Sequence, residues 1–187
     1  MTEPVSGPAG GPASEHGTTD ERFRYCTSGR HWGPRGAAGV LPWTAMPDGR
    51  TWVLLSHRSE RVAAGGTWST FGGAIDVGET PWEAAVRETS EEISGIDVAA
   101  GTLTAELEVP CPHGCGWSYR TFAVHVAPGR GRLPRVRVAA GGHAWETEGV
   151  RWVPVDRVGG RSDLHPGLQA AWPALSAALS EAVPGPA

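Results

Sequence analysis

The feature that most constrains this chain is a strongly marked amphipathic helix, predicted from Thr80 to Ile93. Thr80 is a good N-cap, Pro81 suits the first helical position, and Glu83 completes a capping box. Gly95 is a stop signal just beyond the end. At about 100° per residue, one stripe of this helix is suited to face a core. The stripe consists of Trp82, Ala85, Val86, Thr89 and Ile93.

A second face of the same helix carries Glu88, Glu91 and Glu92. Carboxylates this close repel each other by a few tenths of a kcal/mol per pair, even in water. Arg87 can pair with Glu91, but a single arginine does not neutralise three glutamates. The pattern therefore indicates either a solvated acidic surface or a site for a divalent cation. Ligands that offer only oxygen select a hard ion, Mg²⁺ or Mn²⁺.

The rest of the chain alternates strand and helix patterns, which predicts an α/β fold with a mixed sheet flanked by helices. Strands are predicted at 36–46, 51–56, 67–71, 102–109, 117–126 and 150–155, with a long connection at 128–149. A closing helix is predicted at 164–182, with an apolar stripe of Leu168, Trp172, Leu175 and Leu179. We expect a disordered N-terminal arm at 1–21, one domain at 22–182 and a tail at 183–187.

Composition and charge exclude several functions. The formal net charge is −4, which does not favour a stable nucleic-acid partner. All 16 basic residues are arginine, and asparagine is also absent, a bias typical of a GC-rich bacterial gene. Without lysine, Schiff-base chemistry and a P-loop are ruled out. No apolar run is long enough for a membrane span and the N-terminus lacks signal-peptide features, so the expected location is the cytoplasm, with no membrane partner.

The chain has 3 cysteines, an odd number that fits a reducing compartment better than a disulfide framework. The segment CPHGC holds Cys111, His113 and Cys115, while Cys26 and His31 precede the first predicted strand. Four of these five side chains could form a tetrahedral zinc site. Ordinary reduced thiols are the simpler interpretation, because the spacing is looser than that of a zinc knuckle.

The spacing of restricted residues argues against a plain acidic surface. Gly73 is followed after five residues by Glu79, after seven more by the Arg87–Glu88 pair, and after two more by the Glu91–Glu92 pair. This pattern matches the Nudix box, and the chain resembles actinobacterial-type Nudix hydrolases over roughly residues 31–180. The resemblance implies a Nudix-type α/β/α sandwich. Phe71 stands where the family usually has proline, Thr89 where it has an aliphatic residue, and Gly95 comes one position late.

The resemblance also implies an activity, namely Mg²⁺-dependent (or Mn²⁺-dependent) hydrolysis of a nucleoside diphosphate linked to another group. It places Glu79, Arg87, Glu88, Glu91 and Glu92 in the catalytic centre. Metal ligands would come from Glu88, Glu91, Glu92 and the carbonyl of Gly73, with Arg87 orienting the carboxylates. The general base is either a glutamate of the box or a later one, Glu146 or Glu148.

The sequence is less informative about the substrate, which we expect to be a small nucleotide. Arg58 is a candidate phosphate contact, and Trp68 and Tyr119 are candidates for stacking on a base. Noncanonical or oxidised nucleoside triphosphates, ADP-ribose and dinucleotides are all open as substrates. The chief alternatives are a Nudix-fold nucleotide sensor without catalysis and a structural protein with an acidic helix. A homodimer is also open.

Overall fold

The computed structural model describes residues 20–27, 29–141 and 145–183. Most of the predicted N-terminal arm (1–19) and the end of the predicted tail (184–187) therefore lie outside the described residues. The strands are β1 (Phe23–Cys26), β2 (Gly29–Trp32), β3 (Ala37–Ala45), β4 (Thr51–Arg58), β5 (Trp68–Ser69), β6 (Phe71–Ala74), β7 (Ile93–Ser94), β8 (Thr102–Pro110), β9 (Ser118–His125), β10 (Arg137–Val138) and β11 (Thr147–Pro154). The helices are α1 (Pro81–Glu92), α2 (Val155–Val158) and α3 (Pro166–Ala182).

Seven of these strands form one mixed sheet, in the order β11-β4-β3-β9-β8, with β5 paired to β4 and β6 paired to β3. The pair β3–β9 is parallel, and the other strand pairs described for this sheet are antiparallel. One edge of β3 is shared, because its first half pairs with β6 and its last three residues pair with β4. This sharing brings the end of β6, and the loop that follows it, close to the middle of the sheet.

Helices cover both faces of the sheet, as the alternation of side chains along β3 requires. Leu41 and Trp43 point toward α3 and pack with its buried stripe. Ala38 and Val40 point to the other face and pack with Ala84 and Ala85 of α1 and with Phe122. The predicted α/β/α architecture is thus confirmed, and so is the predicted apolar stripe of α3: Leu168, Trp172, Leu175 and Leu179 are all buried.

Helix α1 begins as predicted. The Thr80 hydroxyl accepts from the Glu83 N–H at 3.2 Å, and the Glu83 carboxylate accepts from the Thr80 N–H at 2.8 Å. The helix ends at Glu92, because Ile93 is already extended and joins β7, which pairs with β10. Gly95 has φ +102°, and a Cβ there would lie 2.1 Å from the Arg135 carbonyl oxygen. This glycine therefore serves a close approach of two backbones rather than the end of the helix.

Three features were not expected from the sequence. A separate hairpin of β1 and β2 precedes the sheet, and the long connection at 128–149 contains β10. Strand β11 begins at Thr147, three residues earlier than predicted, because its start pairs with Arg58 across a bulge.

Within the described part of the chain, no helix combines the length and hydropathy needed to cross a membrane.

Candidate active site

Arg87 is the centre of a carboxylate network on α1. Its Nε and Nη2 donate to the two oxygens of Glu79 at 2.7 and 2.9 Å, and its Nη1 donates to Glu88 at 2.8 Å. Nη2 also donates to the carbonyl of Ala74 at 3.1 Å. These bonds raise the pKa of Arg87, and the guanidinium in turn lowers the pKa of Glu79. A paired, charge-assisted contact of this kind fixes both partners in orientation as well as in position.

Glu88 lies against the backbone of β6. A Cβ on Gly73 would lie only 2.5 Å from the Glu88 carboxyl carbon, so this position accepts no side chain while Glu88 keeps its place. The Glu88 side chain is 13% exposed, whereas that of Glu91 is 34% exposed and lies 3.6 Å from Arg87. The absence of a Cβ thus lets the backbone of Gly73 approach the Glu88 carboxylate closely.

Glu92 is the most deeply buried of the predicted site glutamates, at 7% exposure. One carboxylate oxygen accepts from the Gly72 N–H at 2.9 Å. The other accepts from the Thr147 hydroxyl at 2.5 Å, with the Ser56 hydroxyl 3.4 Å away. Burial raises the pKa of Glu92 to about 7, although the bonds from Thr147 and Gly72 favour the charged form. A buried carboxylate is costly to ionise unless a positive charge stands near it.

These residues fit a hard divalent cation. The carboxylates of Glu88, Glu91 and Glu92 and the backbone carbonyl of Gly73 offer oxygen ligands, and they come from α1 and the adjacent strand β6. The negative charge exceeds what Arg87 supplies, and Glu92 carries a carboxylate whose ionisation a cation would favour. The space between Gly73 and Glu88, which a Cβ would fill, also supports a cation site there.

The predicted substrate residues have different surroundings. Arg58 ends β4, donates from Nε to the Ala63 carbonyl at 3.1 Å, and its charge lowers the pKa of Glu92. The Tyr119 hydroxyl hydrogen-bonds to Thr70 at 2.9 Å, and burial raises the pKa of Tyr119 to about 12. Both Glu88 and Glu92 add to that rise, so Tyr119 lies near the carboxylates.

Trp68 lies in a less open position than a substrate contact needs, whereas the Glu148 side chain is 47% exposed. Trp68 is 9% exposed and belongs to the core beneath α3, with its ring 4.8 Å from that of His57. This placement favours packing over stacking on a base. Glu148 accepts from the Glu60 N–H at 3.4 Å and lies 3.7 Å from His57. It stands next to Thr147, whose hydroxyl binds Glu92, and its role as a base stays a prediction.

Sequence reasoning did not single out Thr147, Ser56 or the Gly72 N–H as partners of Glu92. These groups come from β11, β4 and β6, and only the sheet brings them together. The one available signal is the pair Glu146 and Glu148, which flanks Thr147 and is predicted from the sequence for its carboxylates alone.

The fold and this carboxylate helix define a class of protein. The chain belongs to the Nudix family, since the family model described as NUDIX domain matches residues 33–175. The predicted Nudix-type fold is confirmed by a solved structure, "Crystal structure of a Nudix Hydrolase from M. Smegmatis, RenU", with a TM-score of 0.69 and 32% identity. That similarity covers 88% of this chain and 98% of the other.

Among curated proteins, the chain is 36% identical over 157 residues to "Putative 8-oxo-dGTP diphosphatase 3" of Mycobacterium tuberculosis, which covers 79% of this chain and 64% of the relative. It is 35% identical over 161 residues to "Nucleoside triphosphate pyrophosphatase/Nudix hydrolase fusion protein" of Bifidobacterium longum, covering 83% of this chain and 31% of the relative. The chain therefore spans less than two thirds of the length of these relatives.

A more distant structure, a Caenorhabditis elegans Ap4A hydrolase binary complex, has a TM-score of 0.58 at 20% identity and covers 78% of this chain and 98% of the other. At that identity the likeness shows the shared fold alone.

Proposed function

We propose that this protein is a Nudix pyrophosphohydrolase that uses Mg²⁺ or Mn²⁺ to cleave the diphosphate linkage of a nucleotide. The observation that carries the proposal is the network in which Arg87 holds Glu79 and Glu88 against Gly73, beside the buried Glu92. A sensor that only binds nucleotide has no need for several carboxylates that repel one another.

In this reaction a water oxygen attacks one phosphorus, a P–O–P anhydride bond breaks, and the water proton passes to a base. Glu88, Glu91, Glu92 and the Gly73 carbonyl would hold the divalent cation, which would neutralise negative charge on the phosphate oxygens and make the attacking water more acidic. Arg87 is a positioning residue, because its contacts are with Glu79, Glu88 and Ala74. The base is a glutamate of α1 or one of Glu146 and Glu148.

The substrate class we favour is noncanonical or oxidised nucleoside triphosphates, with a nucleoside monophosphate and pyrophosphate as products. The names of the mycobacterial and bifidobacterial relatives support this choice. Arg58 and Tyr119 are the proposed substrate contacts, because both lie near the carboxylates. We expect this reaction in the cytoplasm, where nucleotides are made.

A panel assay tests the proposal. Purified protein is given canonical and oxidised nucleoside triphosphates, ADP-ribose, NADH and diadenosine polyphosphates, with Mg²⁺ and then Mn²⁺, and products are resolved by chromatography. We expect turnover of one class, lost in Glu92→Gln and kept in Glu181→Gln, which makes the same change on the exposed face of α3. Nucleotide binding without any product, by folded and metal-loaded protein, would show a sensor instead.

A further inference from the structure

A second group of metal-ligating side chains lies outside the carboxylate site. Cys26 and His31 come from the β1–β2 hairpin, and Cys111 and Cys115 come from the loop between β8 and β9. One ligand atom from each of these four residues lies within 4.8 Å of all the others. His113 of the same loop is exposed and is not a member of this group.

The separations fit a tetrahedral zinc ion. Zn–S bonds of about 2.3 Å and Zn–N bonds of about 2.0 Å place two sulfurs about 3.8 Å apart and a sulfur and a nitrogen about 3.5 Å apart. The Cys26 and Cys111 sulfurs are 3.9 Å apart, and the Cys26 sulfur is 3.3 Å from His31 Nε2. A disulfide needs sulfurs about 2.05 Å apart and uses no imidazole.

The loop at 111–115 is built to present its sulfurs. The Cys111 N–H donates to the Trp117 carbonyl at 2.8 Å, and the Gly114 N–H donates to the Cys111 carbonyl at 3.0 Å. Gly114 has φ +66°, a conformation that lets the chain turn within four residues.

The hairpin presents its two ligands on the face that meets this loop. Arg24 pairs with His31 and Cys26 pairs with Gly29, so Arg24, Cys26 and His31 share one side. From that side Arg24 donates to the Cys115 carbonyl at 2.9 Å. The His31 ring stacks on Trp117 with centroids 4.5 Å apart, which orients the imidazole before any metal binds.

The hairpin has no core of its own. It is a separate two-stranded sheet, no residue of its two strands is buried, and Tyr25 and Trp32 are 45% and 50% exposed. An isolated two-stranded hairpin is marginally stable in water. A crosslink between its ligand face and the loop at 111–115 would supply the missing stability.

We propose that Cys26, His31, Cys111 and Cys115 bind one structural Zn²⁺ that fastens the N-terminal hairpin to the β8–β9 loop. Four protein ligands fill a tetrahedral shell, so the ion has no open position for chemistry. Three sulfurs select a soft or borderline metal, in contrast to the oxygen ligands on α1. The two sites are therefore chemically distinct, and this proposal does not depend on the proposed activity.

Metal analysis tests the zinc site. The protein is purified without a tag and without chelator. Its zinc content per chain is measured by inductively coupled plasma mass spectrometry and by native mass spectrometry. We expect one zinc per chain in the wild type and in His113→Ala, whose imidazole is exposed beside the ligands. We expect less than a tenth of that in Cys26→Ser and in Cys115→Ser. Zinc content equal in all four proteins, or absent from the wild type, overturns the proposal.

Cobalt replacement keeps the test independent of whether the serine variants fold. Wild-type protein is stripped of zinc under reducing conditions and titrated with Co²⁺. One equivalent should produce the visible d–d bands of tetrahedral cobalt and a thiolate charge-transfer band, both of which added Zn²⁺ removes. A wild type that gives only octahedral cobalt spectra, or whose mass shows a disulfide in place of metal, contradicts the site.

Discussion

At the residue scale, Arg87 is the side chain on which the geometry of the carboxylates most depends. Its planar fork binds both oxygens of Glu79 and still reaches Glu88. A lysine ammonium is a point charge on a flexible stem and cannot hold two carboxylates in this fixed relation. Arg87 directly holds Glu88, a proposed metal ligand. Loss of the guanidinium should therefore disturb the position of Glu88 and weaken metal binding.

We therefore predict that Arg87→Lys lowers kcat/KM by about 10- to 100-fold. This factor corresponds to the loss of one charge-assisted hydrogen bond, which is worth about 1.5–3 kcal/mol. Steady-state kinetics on the substrate found in the panel would measure it. Arg120→Lys is the matched control. Arg120 of β9 also joins two carboxylates, those of Glu106 and Glu108 on β8, but it does not contact the site glutamates in the contacts described. An equal effect of both substitutions would argue against a positioning role for Arg87.

Glu92 gives a prediction about pH. Its folded pKa is about 7, above the ordinary 4.5, so the folded state binds more protons than the unfolded state between these values. Stability from this group is therefore greatest below about pH 4.5 and is lost as the pH rises to about 7. The main cause is the burial of this carboxylate, which disfavours its charged form.

Glu92→Gln should remove this dependence. In buffer without added Mg²⁺ or Mn²⁺, we expect the variant to gain stability relative to the wild type between pH 5 and pH 8, by up to a few kcal/mol. Urea unfolding at several pH values would measure the difference, with the exposed Glu181→Gln as control. A difference that stays constant with pH would show that Glu92 titrates normally.

At the scale of elements, helix α3 begins with a titratable cap. His165 Nδ1 accepts from the Gly167 N–H at 3.1 Å, which only the neutral imidazole can do. Burial, together with the charge of Arg58, lowers the pKa of His165 below its ordinary 6.5. The stabilisation is thus present above pH 6.5 and is lost as the pH falls through the folded pKa.

We predict that His165→Ala costs about 0.5–2 kcal/mol at pH 7.5, the usual range for a lost N-cap. This cost should shrink toward pH 5, because the wild type then loses the same cap by protonation. Chemical denaturation of both proteins across this range checks the prediction. His113→Ala, which removes an exposed histidine, should show no such trend.

Local elements were the most predictable from sequence. The start of α1 follows from Thr80, Pro81 and Glu83, which lie within four residues of one another. The contacts of Glu92 could not be predicted, because Gly72, Ser56 and Thr147 reach it through sheet pairing over long separations. The sequence indicates five candidate zinc ligands, but which four of them converge depends on how the β1–β2 hairpin meets the β8–β9 hairpin. The role of Trp68 could not be predicted either, because an aromatic residue in a predicted strand can equally pack in a core or stack on a ligand.

At the scale of the whole molecule, the sheet separates two cores. The core beneath α3 contains leucines, valines, alanines and tryptophans, while the one beneath α1 supports the helix that carries the carboxylates. Leu175 is 1% exposed and lies in the first. Because the central strands stand between them, damage to one core should be transmitted weakly to the other.

Leu175→Ala should therefore destabilise the protein by about 2–5 kcal/mol, the cost of a cavity left by a large aliphatic side chain. We expect its Mn²⁺ affinity to stay within about threefold of the wild type at a temperature where both are folded. Calorimetric unfolding and Mn²⁺ titration measure the two quantities. Gln169→Ala, on the exposed side of α3, should change neither. A large loss of Mn²⁺ affinity in Leu175→Ala would show that the cores are coupled.

The parallel pair β3–β9 has a consequence for synthesis on the ribosome. Strand β3 ends at Ala45, but its parallel neighbour begins only at Ser118. At about 5–20 residues per second, on the order of 4–15 s pass between the emergence of the two strands. During that interval the edge of β3 that pairs with β9 in the folded sheet is unpaired, and β3 is almost wholly apolar. A nascent chain of this protein should therefore depend on chaperones until β9 emerges.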